Sequence, residues 1–577
     1  MFKRKFSIIV ALVLLLGVSV LNRAQEEAAS PVTGTINGQV VNERGEAMAG
    51  ATVTVRPIGT FTPGRTTISD AEGNFRFTGL APALYTVGAF SPAYLTQPPE
   101  SGMPVPYYRI GDSVRVAMIK GGVITGTVTN ATGEPIVGIR VRAVRVRDPK
   151  GKAIPVSMSG LERTTDDRGV YRIYGLGPGT YLVSAGGGSG NQSFQFYPFE
   201  NDVPTYSPSS TRDNAAEFGV RGGEETTADI RYRYDSGHTV SGTVRVAANS
   251  GASVMLVSAD GNYVPTSSAF QQPGARGFAV NGVPDGDYYL FAQEIFNSMG
   301  GSAIPDFSAS EGKRVTVKGA DVGGIELITK PLSVISGVVA LEPSKAPDCQ
   351  GKRKPLFGEM LIEMQRHEKD TEIMAPFMRG VQSASPDQKG AFTVRNVMPA
   401  RYRFSPRFYA RYWYLQSISL GTPPATAAAK AAVSRTDPAA TWTTVRSGEQ
   451  LSHLTFTLTE GAASIRGKIA VAEGATIPTG MAVYLVPAER EKADNVLRYF
   501  VAQVAADGTF AFNNLPPGRY SPVTQNPVQS EIDSLVKLRL PESAEARLKL
   551  RRTAETQKSD IELKPCQNLT DFQLSIK

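Results

Sequence analysis

Thr165-Asp-Asp-Arg-Gly-Val-Tyr-Arg-Ile-Tyr-Gly-Leu-Gly-Pro-Gly-Thr-Tyr-Leu-Val183 is the stretch whose reading decides the fold, because its spacing returns five times in the chain. With the aromatic after the turn taken as zero, a branched aliphatic falls five residues on and a tyrosine ten residues on. The triplets are Phe75/Leu80/Tyr85, Tyr171/Leu176/Tyr181, Phe278/Val283/Tyr288, Phe392/Val397/Tyr402 and Phe510/Leu515/Tyr520. A fixed interval repeated this often identifies a module.

The interval has a physical meaning. Phe75-x-Phe77 and Tyr171-x-Ile173 alternate apolar with polar, as a strand does when one face enters a core. The residues before them, Asp70-Ala-Glu-Gly73, Asp166-Asp-Arg-Gly169, Asp387-Gln-Lys-Gly390 and Ala506-Asp-Gly508, read as hairpin turns. A bend rich in Gly and Pro follows, Leu176-Gly-Pro-Gly179 and Leu515-Pro-Pro-Gly518, which a helix does not tolerate. Tyr85-x-Val87, Tyr181-x-Val183, Tyr288-x-Leu290 and Tyr402-x-Phe404 then start a returning strand.

Working outward, each unit opens on an apolar-x-Gly-x-apolar strand centred on Gly38, Gly126, Gly242, Gly337 or Gly467. Glycine inside a strand is destabilising, so five in register imply a bulge or a close backbone approach. Units are expected to close on Val114–Met118, Ala228–Tyr232, Ile325–Leu327, Leu454–Leu458 and Asp560–Leu563. About seven short strands per unit predict an all-β protein of five tandem Ig-like β-sandwich modules, strung like beads. The expected boundaries are 34–120, 121–235, 236–332, 333–460 and 461–577, after a leader at 25–33. Insertions fall at Gly186–Glu217, Glu342–Pro355, Gly421–Thr441 and Glu531–Glu555. The last carries Ile532, Leu535, Val536 and Leu538, then Ala544, Leu548 and Leu550, around Pro541, and predicts a short helical insertion in the final module.

The opening Gly-x-Val, the Gly133-Glu-Pro135 turn and the Asp-x-x-Gly-x-aromatic to Pro-Gly-x-Tyr stretch resemble the carboxypeptidase regulatory-like domain. The first two units carry the resemblance best. The fourth departs most, with Met398-Pro-Ala400 where the family has Pro-Gly. What the resemblance implies is a transthyretin-like sandwich, grouped with carbohydrate-binding-like folds. Such domains are appended to peptidases, receptors and surface proteins alike, so it implies no single activity.

Met1-Phe-Lys-Arg-Lys-Phe, the apolar run Ser7–Leu21 and Ala24 read as a secretory signal, residues 1–24, with cleavage expected after Ala24. Membrane contact is expected only through this segment, if it stays uncleaved. The formal charge is +8, and removing Lys3, Arg4, Lys5 and Arg23 leaves 8 − 4 = +4, too balanced for a nucleic-acid partner. Cys349 and Cys566 fit an exported protein and either form one disulfide or remain separate thiols.

No catalytic constellation is visible. Of the three histidines, His238, His367 and His453, His367-Glu368 lacks a second His at helical spacing. The glycine run Gly186–Gly190 does not match a nucleophile elbow, and Asp166-Asp167-Arg-Gly169 lacks the alternating acids of a calcium loop. No metal and no cofactor is therefore expected, and the chain is not expected to be an enzyme.

Binding has one dense candidate, Arg401-Tyr-Arg-Phe-Ser-Pro-Arg-Phe-Tyr-Ala-Arg-Tyr-Trp-Tyr414. Tyr402 and Phe404 belong to the core phase. Beyond Pro406 the phase is lost, so Tyr409, Arg411, Tyr412 and Trp413 are the expected ligand residues, suited to an acidic glycan or a lipid phosphate. Alternatively, Tyr412 and Tyr414 simply begin the next strand. Phe194-x-Phe196-Tyr-Pro-Phe199 is a second aromatic cluster. The expected function is an exported non-catalytic scaffold or binding protein of the bacterial periplasm or cell surface, with carbohydrate or an envelope protein as partner. Two alternatives are an accessory subunit of an envelope enzyme or transporter, and a hydrolase whose residues come from scattered loops.

Overall fold

The structure is a computed structural model that describes residues 33–575 apart from 59–62, 98–105, 155–160, 189–198, 200, 247–249, 260–262, 272–275, 296–305, 371–381, 422–437, 471–476, 479, 526–540, 542 and 558. The signal and most of the leader lie outside the described residues, as do Phe194–Pro198, nearly all of Gly421–Thr441 and the first half of Glu531–Glu555. What is described is all-β, with one α-helix, α1 (Ala544–Gln557), in the last repeat.

Each repeat uses the same wiring. The opening strand (Gly34–Val41, Gly122–Thr129, His238–Arg245, Ser333–Glu342 or Ala463–Ala470) pairs antiparallel with the aromatic strand (Asn74–Leu80, Val170–Leu176, Gly277–Val283, Ala391–Val397 or Thr509–Leu515). On its other side it runs parallel to the closing strand. The tyrosine strand (Tyr85–Ser91, Gly179–Ala185, Gly286–Ile295, Ala400–Phe408 or Gly518–Gln525) lies across the core from them and pairs with the strand after the opening hairpin. One expectation is corrected here. Ile561–Leu563 does not close the fifth repeat; it pairs with Gly518–Tyr520 in the tyrosine sheet. Asn568–Ser575 is the closing strand, because it alone supplies the parallel partner of Ala463–Ala470.

The recurring glycine now has its reason. Gly38, Gly126, Gly242, Gly337 and Gly467 stand directly opposite Phe75, Tyr171, Phe278, Phe392 and Phe510. A Cβ at any of the first four would run into a carbonyl of the closing strand, that of Val114, Ala228, Ile325 or Leu454. At Gly38 and Gly337 it would also lie 2.7 Å from the ring opposite. The aromatic is thus laid over a missing side chain, which lets opening and closing strands approach. The ladder also shifts register just before each glycine pair, so bulge and close approach occur together.

The tyrosine ten residues on is equally constrained. Its hydroxyl donates to the carbonyl four residues back in every repeat: Tyr85 to Ala81 (2.7 Å), Tyr181 to Gly177 (2.7 Å), Tyr288 to Pro284 (2.8 Å), Tyr402 to Met398 (2.8 Å) and Tyr520 to Pro516 (2.9 Å). The bend cannot make this bond internally, since Pro-rich backbone lacks donors. Burial pushes the Tyr520 hydroxyl well above its ordinary pKa, so it stays a donor at any working pH. Tyr520→Phe is expected to lower the stability of the fifth repeat by about 1–2 kcal/mol through the orphaned carbonyl. A urea denaturation midpoint left unchanged would contradict this.

The acidic turns are hairpin turns closed by their own aspartates. Asp166 Oδ1 accepts from the amides of Arg168 (3.0 Å) and Val170 (2.8 Å), and Asp387 Oδ1 from Lys389 (2.8 Å) and Ala391 (2.9 Å).

Five large clusters of buried side chains result, spanning Ile36–Met118, Ile124–Tyr232, Val240–Leu327, Ile335–Leu458 and Ala463–Leu574. No cluster mixes residues of two repeats. Helix α1 starts within the expected insertion and buries Leu550 and Ala554 against Val486, Tyr499 and Val523, while Leu548 is exposed.

The repeats are not beads on a string. The residue before the branched aliphatic is left-handed in every bend, Gly79, Gly175, Gly282, Asn396 and Asn514, with φ between 57° and 75°. In the last three repeats this corner presses on the preceding repeat. Gly282 meets the Asn201 carbonyl, Asn396 Oδ1 accepts from the Phe307 amide (2.7 Å), and Asn514 Nδ2 reaches the fourth repeat. The first repeat sets its Pro82 carbonyl against Gly358 of the fourth. The chain therefore curls until its first and fourth repeats touch.

Candidate functional site

That curl creates a cleft of about 520 Å³ where the first, fourth and fifth repeats meet. The first contributes Arg109. From the fourth come Arg353, Lys354, Pro355, Glu359 and the turn Phe408–Tyr412, and from the fifth Arg466, Asn513 and Asn514.

The turn is held from below. Asn514 Nδ2 donates to the carbonyls of Ala410 (2.7 Å) and Trp413 (2.8 Å), and the Tyr412 carbonyl accepts from Gly461 (2.8 Å) and Ala462 (2.9 Å). Fixed at both ends, Tyr409–Tyr412 projects into the cleft between two regular strands. Cys349 and Cys566 form a disulfide with a Cα–Cα distance of 5.4 Å, tying the Glu342–Pro355 insertion to the fifth repeat beside this turn.

The four expected ligand residues separate. Tyr409, Arg411 and Tyr412 line the cleft. Trp413 does not: it is 1% exposed and packs in the core of the fourth repeat, because the strand phase resumes at Trp413–Leu420. Its ring cannot meet a ligand. Three arginines of the same stretch are already committed. Arg401 grips Asp370 through Nη2 (2.8 Å) and Nε (3.1 Å), Arg403 covers the Trp442 ring at 4.6 Å, and Arg407 pairs with Glu363 at 3.3 Å and covers Tyr107 at 4.8 Å. Arg411 is the one that stays exposed at the cleft.

The hydrogen bonds from Arg401 hold the Asp370 carboxyl down at about 2. A depressed folded value means the stabilisation is complete above the unfolded carboxyl range and fades as pH falls from about 4 towards 2. Asp370→Asn is expected to flatten that part of the stability–pH curve, read from urea midpoints at pH values either side of the window. A variant with the wild-type slope would contradict the assignment.

Electrostatics dominate the cleft. Glu359, buried at 5% exposure, takes Arg353 Nη2 at 2.9 Å on one oxygen and Arg109 Nη1 at 3.8 Å on the other, joining cations of two repeats. Arg109 lies over the Tyr409 ring at 5.4 Å and bonds its carbonyl at 3.4 Å; Lys352 lies over the Tyr412 ring at 4.9 Å. The Tyr412 hydroxyl is pulled below its ordinary pKa, chiefly by the hydrogen bond from Asn568, which outweighs the opposing effect of burial, with smaller help from the charges of Lys352 and Arg411. The Tyr409 hydroxyl is raised, chiefly by burial. This arrangement is suited to an anion, and among the described residues of the cleft no nucleophile is paired with a base.

Sequence reasoning missed Arg109, Arg353, Lys354, Glu359, Arg466 and the two asparagines, which reach the cleft through the curl. A second cavity, about 450 Å³ between the second and third repeats, holds Asp213, Asp235, Asp285, Asp287 and His238, with His238 Nε2 3.2 Å from Asp285. His238 is thus a junction residue. His367 packs on Trp442 at 4.7 Å between ring centroids, and the Phe199 ring, the described end of the second aromatic cluster, packs on Tyr232 and Tyr234. Among the described residues no three His, Cys, Asp or Glu side chains are grouped to hold a metal ion.

Comparison with known proteins bears on the first two repeats. Residues 35–104 and 123–231 match the family described as the carboxypeptidase regulatory-like domain. Both stretches are similar to that domain. The family is non-catalytic, and the two matched stretches contain the pairs Gly38–Phe75 and Gly126–Tyr171 described above. Among solved structures, the chain is similar to the Bacillus anthracis TIE protein at 13% identity, covering 52% of this chain and 51% of that one with a TM-score of 0.14. It is also similar to the shaft pilin SpaA of Lactobacillus rhamnosus GG (10% identity, 35% and 98% covered, TM-score 0.16). A third is BcpA, the major pilin subunit of Bacillus cereus (12% identity, 52% and 99% covered, TM-score 0.14). The match spans about half the length of the TIE chain. No curated protein matches. No described helix is long and apolar enough to cross a membrane.

Proposed function

We propose that the protein is an exported, non-catalytic scaffold of five β-sandwich modules, in the bacterial periplasm or at the cell surface, that holds an envelope carbohydrate in the cleft between its first, fourth and fifth modules. The observation that carries this is the cleft itself. Residues separated by hundreds of positions converge there on a turn clamped by Asn514, and its size suits a short segment of a larger ligand. Polar groups and cations line it without a reacting pair, as holding rather than turnover requires. The non-catalytic family of the first two modules supports the same reading.

The test is a glycan array probed with the whole chain, with Tyr412→Ala and with Tyr174→Ala, the last an exposed tyrosine far from the cleft on the second repeat. Binding that Tyr412→Ala abolishes and Tyr174→Ala preserves is the expected result. A binding pattern indifferent to Tyr412 would overturn it.

A further inference from the structure

The charge balance of the cleft says more about its ligand than its aromatic content does. Arg109, Arg353, Lys354, Arg411 and Arg466 line it against the single carboxylate of Glu359, so the lining carries 5 − 1 = +4. Glu359 spends both oxygens on Arg353 and Arg109. The other three cations have no carboxylate in ion-pair range among the described residues. Arg466 donates only to neutral acceptors, the carbonyls of Ile465 (3.1 Å) and Phe512 (3.4 Å) and the side chain of Asn513 (3.0 Å). Like charges gathered in a recess with protein walls repel one another and focus a positive field. An anion relieves that repulsion, and guanidinium forks bind carboxylates through two parallel bonds.

Stacking is correspondingly weakened. A sugar ring needs a bare aromatic face, whereas Tyr409 and Tyr412 each have one face under a cation. What remains beside the cations is a small uncharged wall, Phe408 and Pro355 with the Asn513 amide, suited to the body and hydroxyls of a pyranose.

We infer that the ligand of this cleft is an acidic polysaccharide, gripped through its carboxylates by Lys354, Arg411 and Arg466, with Glu359 positioning Arg109 and Arg353 beside them. The inference rests on the cleft being the ligand site. It adds that recognition is by charge and that the site exists only while three modules are held together.

The experiment uses the full, disulfide-bonded chain and the fluorescence anisotropy of a labelled short oligogalacturonate, with a neutral galactose oligomer of equal length as comparison. Three proteins are compared: wild type, the double variant Arg411→Gln/Arg466→Gln, and Arg221→Gln, an exposed arginine on the second repeat. Expected are binding of the acidic oligomer alone, weakening as salt is raised, and a loss of about tenfold or more per cation removed. Arg221→Gln should bind as wild type. If the neutral oligomer binds as tightly and the double variant loses both, the ligand class is wrong while the cleft stands. Acidic binding that the double variant retains puts the site elsewhere. Binding of neither oligomer overturns cleft and class together. Displacement by inorganic phosphate, where free galacturonate displaces nothing, overturns the carboxylate assignment in favour of a phosphate-bearing ligand.

Discussion

Gly337→Ala is expected to destabilise the fourth sandwich by about 3 kcal/mol or more. The new Cβ would collide with the Leu454 carbonyl and sit 2.7 Å from the Phe392 ring and 2.9 Å from the Leu454 carbonyl carbon. A flexible side chain could yield to it. Here the obstacle is backbone in the middle of a parallel ladder that pairs Gly337 with Leu454 itself. Relief requires the opening and closing strands to separate, breaking bonds on both sides of the collision. Trimming the ring with Phe392→Leu should not rescue the variant, because the carbonyl remains. Val338→Ala, one residue on and 39% exposed, is the matched control and should change stability by less than about 0.5 kcal/mol. Denaturant midpoints that place Gly337→Ala beside Val338→Ala would remove the close-approach account of the repeated glycine.

That account also explains why the fold was legible in the chain. Every part of the repeated unit is satisfied inside its own repeat: the ring over the glycine, the tyrosine hydroxyl on the bend, the aspartate on its turn amides. Short-range demands leave short-range spacing. The sandwich class, the core triplets and a helix in the last repeat could therefore be read from residue intervals alone. The residue before the branched aliphatic was not legible, because Gly175, Gly282, Asn396 and Asn514 differ in type and share only a left-handed backbone. In the last three repeats it presses on the repeat before, so its partners are remote. The cleft failed for the same reason on a longer scale. Tyr409, Arg411 and Tyr412 stood out where the strand phase broke, yet Arg109 bonds the Tyr409 carbonyl from 300 positions away. Trp413 was misassigned because the phase resumes one residue earlier than the aromatic density suggests, placing its ring inside.

The second large effect is expected from Cys349→Ser/Cys566→Ser. The bridge closes a loop of 217 residues, for which loop-closure entropy gives an upper value of about 5 kcal/mol. The fourth and fifth sandwiches have separate cores and already pair through Asn514 and Gly461, so part of that loop is closed without the bridge. A loss of about 2–4 kcal/mol from the fourth–fifth pair is the expected outcome. The first three repeats should unfold as before, so calorimetry should show one shifted transition rather than a uniform decline. The consequence for the cleft is larger than the thermodynamic figure suggests. Cys349 lies in the insertion that carries Arg353 and Lys354 and leads into Glu359, and the Cys566 amide N–H donates a hydrogen bond to the Gly461 carbonyl (3.0 Å). Cutting the bridge frees one wall of the cleft from the wall opposite. The double serine variant should therefore lose ligand affinity at temperatures where all five cores are still folded. Equal affinity and equal melting behaviour in the oxidised protein and the double variant would show that the bridge holds nothing the interface does not already hold.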